Sequence, residues 1–83
     1  MNPSAYFQVY ILACADNSFY TGCTANLSAR ICRHERGEIS YTKNRLPVKL
    51  IFFCSFPDKY KAFQFEKYLK SGSGTAFRNR HLL

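Results

Sequence analysis

Three short runs rich in aromatic and β-branched residues set the main constraint on the fold. They span residues 6–13 (YFQVYILA), 18–23 (SFYTGC) and 48–56 (VKLIFFCSF), and each has the composition and length typical of a β-strand. Asp16 and Asn17 lie between the first two runs, and both residue types tolerate the left-handed backbone of a tight turn. The pattern therefore predicts a β-hairpin with a two-residue turn and a separate third strand.

Capping residues place helices in the remaining segments. Thr24 or Asn26 begins a first helix, which runs to about residue 36, where Gly37 supplies the usual stop. Asp58 begins a second helix that runs to about Lys70. Each cap is a side chain that accepts hydrogen bonds from the free N–H groups of the first turn.

The other segments complete the order of elements. Residues 38–47 predict a polar loop, 71–74 (SGSG) breaks the second helix, and a short third helix covers 75–81. The third strand carries apolar residues at successive positions, as expected for a strand covered on two sides. The chain is thus expected to form a single domain over 1–83 in the order β-β-α-β-α-α.

Charge and size narrow the classes of function. The 83 residues include twelve Lys and Arg against five Asp and Glu, for a net charge of +7, and 47% of them are hydrophobic. The chain is too apolar for a disordered basic tail and too short for a dinucleotide-binding unit. Residues 30–57 and 58–83 each carry six cations against two anions. A basic surface on this part of the chain suggests a polyanionic partner, either nucleic acid or an anionic membrane surface.

Hydropathy and cysteine spacing indicate the compartment. No run approaches the ~20 apolar residues of a membrane span, and the N-terminus lacks a signal peptide, so we expect a cytoplasmic protein. The four cysteines, Cys14, Cys23, Cys32 and Cys54, are 9, 9 and 22 residues apart and form no CxxC pair. Buried free thiols are therefore expected in place of disulfides or a zinc site.

Two polar side chains share a stripe with apolar ones on the first helix. Leu27, Arg30, Ile31 and His34 follow the i, i+3, i+4, i+7 spacing of one helix face. Leu27 and Ile31 are expected to enter the core, so Arg30 and His34 should emerge together at its edge. Spacing alone favours the alternative, an ordinary pair on a helix surface.

Glu66 lies on the apolar side of the second helix, which Ala62, Phe63, Phe65 and Leu69 define. Because an unpaired charge is costly to bury, Glu66 should pair with a cation, be protonated, or coordinate a metal at the rim of a cleft. A structural salt bridge to an arginine would satisfy the same requirement.

The sequence resembles the GIY-YIG nucleases. Residues 9–11 (VYI) and 20–22 (YTG) are similar to the paired signature of that family, with Val in place of the first Gly and Thr in place of the central Ile. The helix with Arg30 and His34, then Tyr41-Thr42, the third strand and the helix with Glu66 follow in the family's order over nearly the whole chain. The chain looks most similar to small single-domain bacterial members, and to the N-terminal nuclease domain of the excision-repair incision subunit.

This resemblance implies both a fold and a reaction. The fold is α+β, a small three-stranded antiparallel sheet flanked by helices. The reaction is metal-dependent endonucleolytic hydrolysis of DNA phosphodiester bonds, structure-selective or weakly sequence-specific, in DNA repair or recombination. Glu66 would bind one Mg²⁺ or Mn²⁺ and Arg30 the scissile phosphate. Tyr20 would accept a proton from the attacking water or orient it, Tyr10 would position water or phosphate, and His34 is an alternative base.

The resemblance also implies DNA, branched or single-stranded, as the partner. The candidate DNA-binding residues are the remaining cations and one tyrosine that could stack on an unpaired base: Arg33, Tyr41, Lys43, Arg45, Lys70, Arg78 and Arg80. No base-reading element is evident, which leaves targeting to a partner protein or to dimerisation. The alternatives are a catalytically weak nucleic-acid-binding module with the same fold, and a protein-interaction adaptor.

Three positions test this interpretation. Cys23 follows the second motif, where repair-type members often carry a lysine, and Asn79 is the only candidate for the family's late asparagine. A two-residue turn would pair Tyr10 with Cys23 and would place Tyr10 and Tyr20 on opposite faces of the sheet. Their convergence in one cleft would then require a bulge or twist near Gly22.

Overall fold

The computed structural model describes residues 6–83. The elements are β1 (Phe7–Cys14), β2 (Phe19–Thr24), α1 (Leu27–Glu35), β3 (Val48–Phe56), α2 (Lys59–Leu69) and α3 (Gly72–His81). The strands form one antiparallel sheet in the order β2-β1-β3. The predicted α+β fold and element order are confirmed, and residues 1–5 of the domain predicted over 1–83 lie outside the described part.

The turn between β1 and β2 contains three residues, 15–17, and not two. The Cys14 N–H donates to the carbonyl of Ser18 (2.8 Å), and the Asn17 N–H donates to the carbonyl of Cys14 (3.1 Å). Asn17 has a left-handed backbone with φ 68°. A tight turn followed by one left-handed residue is a common three-residue hairpin connection. The prediction of a two-residue turn is wrong because the loop also includes Ala15.

This extra residue changes which side chains of β2 face Tyr10. Tyr10 pairs with Gly22, and Leu12 pairs with Tyr20, whereas the predicted register paired Tyr10 with Cys23. Because side chains alternate along a strand, a shift of one residue moves Tyr20 to the same face as Tyr10. The two tyrosines converge without a bulge near Gly22.

Side chains alternate between two faces of the sheet, which we call the α2 face and the tyrosine face. Val9 and Ile11 lie on the α2 face and form the buried apolar core with Ala62 and Leu69 of α2. Partly buried residues surround this core: Phe7, Phe19, Cys23, Ile51, Phe52, Phe56, Phe65 and Leu82. Tyr10 lies on the opposite, tyrosine face, beneath α1.

β3 is an edge strand, and only its α2 face is well covered. Phe52 packs against the core on that face. Leu50 and Phe53 pair with Leu12 and Tyr10 and so belong to the tyrosine face, but they are exposed. The expectation that this strand is covered on both sides is therefore wrong, because apolar residues on an edge strand also occur on its open side.

Local capping sets the helix ends. Asn26 and Asp58 accept backbone N–H groups at the starts of α1 and α2, and Gly37 follows α1 with φ 75°, as predicted. Ser71 accepts from the Gly74 N–H at 3.1 Å, so the SGSG segment forms the first turn of α3. The third helix thus starts earlier than residue 75. Among residues 6–83, none of the helices combines the length and the apolar character needed to cross a membrane.

Two predictions of burial are corrected. Cys14 is buried, Cys23 and Cys54 are partly buried, and Cys32 is exposed on the outer side of α1, so a buried thiol is wrong for Cys32. Phe63, predicted on the apolar side of α2, is 46% exposed. The Phe63 ring is covered only in part, by an edge-to-face contact with Phe7 at 6.1 Å between ring centres.

Candidate active site

Three predicted catalytic residues form a cluster of rings on the tyrosine face. The ring centres of Tyr20 and His34 are 4.9 Å apart, and those of Tyr10 and Tyr20 are 6.0 Å apart. Tyr41, from the loop before β3, lies 5.5 Å from Tyr20. Tyr10 and His34 are fully buried, whereas Tyr20 is partly exposed. Tyr20 therefore separates the buried pair from solvent.

Hydrogen bonds connect the buried side chains into a buried network of Tyr10, His34 and Thr42. The Tyr10 hydroxyl lies 2.9 Å from His34 Nε2, and His34 Nδ1 lies 2.7 Å from Thr42 Oγ1. Thr42 Oγ1 lies 3.4 Å from the Ile39 carbonyl oxygen. A carbonyl can only accept, so we assign Thr42 as its donor. His34 Nδ1–H then donates to Thr42, and the Tyr10 O–H donates to His34 Nε2.

The protonation states agree with this assignment. Burial raises the pKa of Tyr10 well above its usual value, and the neighbouring Tyr20 adds to this, while Arg30 opposes it. Burial lowers the pKa of His34, and the positive charges of Arg30 and Arg33 lower it further. At neutral pH, Tyr10 is a protonated donor and His34 an unprotonated acceptor.

His34 does not emerge at the edge of the core as predicted. It is fully buried, and both ring nitrogens already have partners within the protein. Arg30, one turn earlier on α1, remains partly exposed. Leu27 and Ile31, expected to enter the core, are only partly buried and do not belong to the apolar core, so that prediction is wrong. The histidine is instead the most buried member of the stripe, because its two hydrogen-bond partners compensate its burial.

Gly22 has a steric role in this cluster. A Cβ atom at this position would lie 2.5 Å from the hydroxyl oxygen of Tyr10 and 2.6 Å from its Cζ. Any side chain would displace the Tyr10 ring. The glycine of the second motif therefore makes room for the tyrosine of the first.

Arg30 and Glu66 approach β2 from opposite sides of the sheet. Arg30 belongs to α1 on the tyrosine face, and Glu66 belongs to α2 on the other face. Both residues influence the thiol of Cys23 in β2. Burial raises the pKa of this thiol and the Glu66 carboxylate raises it further, whereas the positive charges of Arg30 and Lys70 lower it. Glu66 is thus separate from the cluster of rings on the tyrosine face. The two faces of the sheet meet at its outer edge, along β2.

Glu66 is paired with a cation. Lys70 Nζ lies 3.2 Å from Glu66 Oε2, one helical turn away, and the Glu66 side chain is 23% exposed. Of the alternatives predicted for this carboxylate, pairing with a cation is the one observed, and the partner is a lysine rather than an arginine. The lysine nearest Glu66 thus directly follows α2, whereas Cys23 occupies the position after Gly22.

A groove of about 360 Å³ crosses the outer edge of β2. Its lining includes residues from both layers: Tyr20 and Thr21 of β2, Tyr41 of the loop, and Lys70, Thr75 and Arg78 from the α2–α3 side. Three of the predicted DNA-binding residues, Tyr41, Lys70 and Arg78, thus lie beside the predicted catalytic Tyr20.

Arg78 is held at the groove by two contacts. Its guanidinium lies 5.1 Å from the ring centre of Phe19, and its Nε and Nη2 donate to Asn79 Oδ1 at 3.1 and 3.0 Å. Asn79, the late asparagine singled out in the sequence, therefore orients Arg78 in this structure.

Four predicted DNA-binding residues are not among those that line the groove: Arg33, Lys43, Arg45 and Arg80. Arg33 pairs with Glu38 at 3.5 Å. Arg45 stacks 4.2 Å from the ring centre of Tyr41 and donates to Asp16 Oδ2 at 3.1 Å. Arg45 thus joins the hairpin turn to the loop with Tyr41, which is a structural role.

The sequence did not predict a role for Thr42. It lies in the loop 38–47, which has no periodicity to indicate a buried position. Its burial follows from contact with a helix residue eight positions earlier. Only its place directly after Tyr41 in the resemblance could have pointed to it.

Comparison with known proteins agrees with the family resemblance of the sequence motifs. Residues 6–80 match the family model described as the GIY-YIG catalytic domain. A UPF0213 protein of Pediococcus pentosaceus is 46% identical over 65 residues, which cover 77% of this chain and 68% of that protein. Another, from Staphylococcus haemolyticus, is 46% identical over 66 residues, covering 78% and 80%. The solution NMR structure of a UPF0213 protein from Bacillus halodurans has a TM-score of 0.58 at 35% identity and covers 90% of this chain and 83% of that one.

Proposed function

Because the chain belongs to the GIY-YIG catalytic domain family, we propose that it is a metal-dependent endonuclease that hydrolyses DNA phosphodiester bonds. The observation that carries this proposal is the groove at the edge of β2. It brings the accessible ring of Tyr20 together with Lys70 and Arg78. Arg30 and Glu66 do not line this groove, but the charges of both act on the Cys23 thiol of the same strand. Phosphodiester hydrolysis needs an oriented water and positive charge beside the phosphate.

The residues of this site have separate roles in the proposed reaction. Tyr20 faces the groove and orients the attacking water or accepts its proton. Arg30 binds the scissile phosphate through its fork of N–H donors. Tyr10 and His34 are buried, so they act behind Tyr20 and do not touch the substrate in this arrangement. Lys70 supplies further positive charge to the groove.

The Glu66 carboxylate offers the kind of oxygen donor that a hard divalent cation prefers. Within residues 6–83 there is no group of three or more His, Cys, Asp and Glu side chains that could hold a metal, so Glu66 is the single acidic ligand proposed. Mg²⁺ and Mn²⁺ accept carboxylate oxygen, keep several waters and take further oxygens from substrate phosphate. When bound, such an ion would neutralise charge that develops on the phosphate.

The groove also suggests the kind of DNA. Its lining combines aromatic rings, on which unpaired bases can stack, with two cations that can bind phosphates. We therefore infer structure-selective or weakly sequence-specific cleavage of branched or single-stranded DNA in the cytoplasm, within DNA repair or recombination. Targeting would come from a partner protein or from dimerisation.

Cleavage assays on single-stranded, duplex and branched DNA test this proposal. Cleavage should need Mg²⁺ or Mn²⁺ and stop with a chelator. Glu66→Gln and Arg30→Ala should each lower kcat about a hundredfold or more, because the first removes the proposed metal ligand and the second a positive charge at the reacting phosphate. Glu35→Gln and Arg36→Ala change exposed residues at the end of α1 and should remain within about twofold of wild type.

Two outcomes would contradict the proposal. Cleavage that survives both Glu66→Gln and Arg30→Ala would mean a wrong site assignment or a contaminating nuclease. Tight DNA binding without cleavage of any substrate would favour the alternative, a catalytically weak nucleic-acid-binding module with the same fold.

A further inference from the structure

A loop threonine occupies the end of the buried network beneath Tyr20. Thr42 is fully buried, and its hydroxyl lies 2.7 Å from His34 Nδ1 and 3.4 Å from the Ile39 carbonyl. Among the described residues, no buried side-chain nitrogen or oxygen lacks a hydrogen-bond partner. Each member of the network is therefore satisfied by the next.

Thr42 is also fixed through its backbone. Its N–H donates to the Ile39 carbonyl at 3.1 Å, and its own carbonyl accepts from the Arg45 N–H at 2.9 Å. Arg45 in turn donates to Asp16 at 3.1 Å and to Ser18 at 3.2 Å. The loop is thus anchored on the hairpin turn, and this places the hydroxyl of Thr42 at a fixed point behind His34.

We propose that Thr42 is a positioning residue that fixes the tautomer of His34 and thereby keeps Tyr10 as a hydrogen-bond donor behind Tyr20. The Ile39 carbonyl determines the direction in which the Thr42 hydroxyl donates. That direction requires a proton on His34 Nδ1 and leaves Nε2 as the acceptor for Tyr10. The oxygen lone pairs of Tyr10 are then directed away from His34, toward its other neighbours.

Loss of the Thr42 hydroxyl would reverse this order. His34 Nδ1–H would have no acceptor in a buried position, which is costly. The neutral ring would avoid that cost by moving its proton to Nε2, and Nε2–H would then donate to Tyr10. Tyr10 would change from donor to acceptor, and its own proton would turn toward the Tyr20 side, because Arg30, its other neighbour, has only donors.

The consequence for cleavage rests on the proposed function. If Tyr20 handles the attacking water and Arg30 the phosphate, a reversed Tyr10 hydroxyl would disturb both. Removing the partner that orients a metal-ligating histidine typically costs roughly tenfold to a hundredfold in activity, and we expect a loss of similar size for His34. The loss should appear in kcat and leave KM within about threefold, because no groove residue is changed.

The test compares Thr42→Val, which removes the hydroxyl at nearly constant shape, with Thr42→Ser, which keeps it. Thr24→Val is the matched control: Thr24 is also buried, and its hydroxyl accepts the Asn26 N–H at 3.1 Å, outside the network. Nitrogen-15 NMR of the imidazoles reports which nitrogen of His34 carries the proton, and exposed His81 serves as an internal reference.

We expect Thr42→Val to move the proton of His34 from Nδ1 to Nε2 and to lower kcat tenfold or more. Thr42→Ser should restore the wild-type tautomer and most of kcat, while Thr24→Val should change only stability. The proposal is overturned if Thr42→Val keeps the wild-type tautomer, or if wild type cleaves and Thr42→Val has kcat within twofold of it. If wild-type protein cleaves no DNA, the proposed function fails, and the tautomer measurement alone still decides whether Thr42 positions His34.

Discussion

The two faces of the sheet are stabilised by different interactions. On the α2 face, Val9, Ile11, Ala62 and Leu69 are at most 1% exposed and entirely apolar. On the tyrosine face, the equally buried Tyr10, His34 and Thr42 are joined by hydrogen bonds. Apolar packing tolerates small changes of shape, whereas a buried polar network depends on every partner being present.

In this small chain, one face of the sheet mainly supplies stability and the other holds the functional groups. The apolar face supplies the non-directional burial that holds the sheet together. The polar face gives up part of that burial to hold three functional groups in one orientation. Substitutions on the two faces should therefore differ in size and in kind.

The largest expected effect is on the apolar face. Ile11→Ala removes a fully buried side chain and should lower the free energy of unfolding by about 2–5 kcal/mol, measured by urea denaturation. Phe53→Ala, on the exposed side of β3, should cost less than about 1 kcal/mol. Equal losses for the two variants would show that both faces of the sheet are covered in solution.

The next largest effect is expected on the tyrosine face, from a substitution that overpacks it. Gly22→Ala places a methyl group against the Tyr10 ring and should lower the free energy of unfolding by about 1–3 kcal/mol. The Tyr10–His34 hydrogen bond should be lost in the same variant, as seen in the His34 NMR signals. Gly72→Ala is the control, since nothing lies within 4 Å of its added Cβ, and it should be neutral or stabilising by up to about 1 kcal/mol. A harmless Gly22→Ala would contradict the close packing of Tyr10 on this glycine.

A smaller effect depends on pH. The pKa of His34 is lower in the folded protein, because of burial and then of Arg30 and Arg33, so the unfolded chain binds the proton more readily. The free energy of unfolding should be at its full value above about pH 6.5 and should fall with decreasing pH, by at most about 1.4 kcal/mol per pH unit. Urea denaturation between pH 5 and 7.5 measures this slope. It should flatten in His34→Gln and persist in His81→Gln; the reverse result would refute the assignment.

The smallest effect on stability concerns the ion pair at the edge of β2. Glu66→Gln and Lys70→Gln should each change the free energy of unfolding by less than about 1 kcal/mol, because the pair is partly exposed. Lys67→Gln, on the same helix, serves as the control. A loss above about 2 kcal/mol would mean that Glu66 is mainly a structural salt-bridge residue and would weaken its proposed metal-binding role.

Much of the fold could be predicted because its signals are local. The predicted bounds of the third strand, 48–56, match β3 (Val48–Phe56), and the caps at Asn26 and Asp58 are formed as expected. Aromatic and β-branched runs, together with capping side chains, act within a few residues of themselves. Such features need no knowledge of the tertiary structure.

The site could be predicted only in part, because its geometry is not local. Asp16-Asn17 suits a two-residue or a three-residue turn equally well, yet only the longer turn places Tyr20 beside Tyr10. The role of Thr42 depends on a loop that folds back onto α1. The burial of His34 likewise depends on partners that come from β1 and from that loop.

The number of residues in the turn 15–17 determines which face of the sheet each β2 side chain occupies. Because side chains alternate along a strand, only odd changes in this number move them to the other face. An insertion or deletion of a single residue there would rotate β2 by half a period and present Thr21 and Cys23, in place of Tyr20 and Gly22, on the face of Tyr10. A change of two residues would keep the present sidedness. Variants with an odd number of residues inserted or deleted in this exposed turn would therefore lose the cluster of rings, although every motif would remain intact in their sequence.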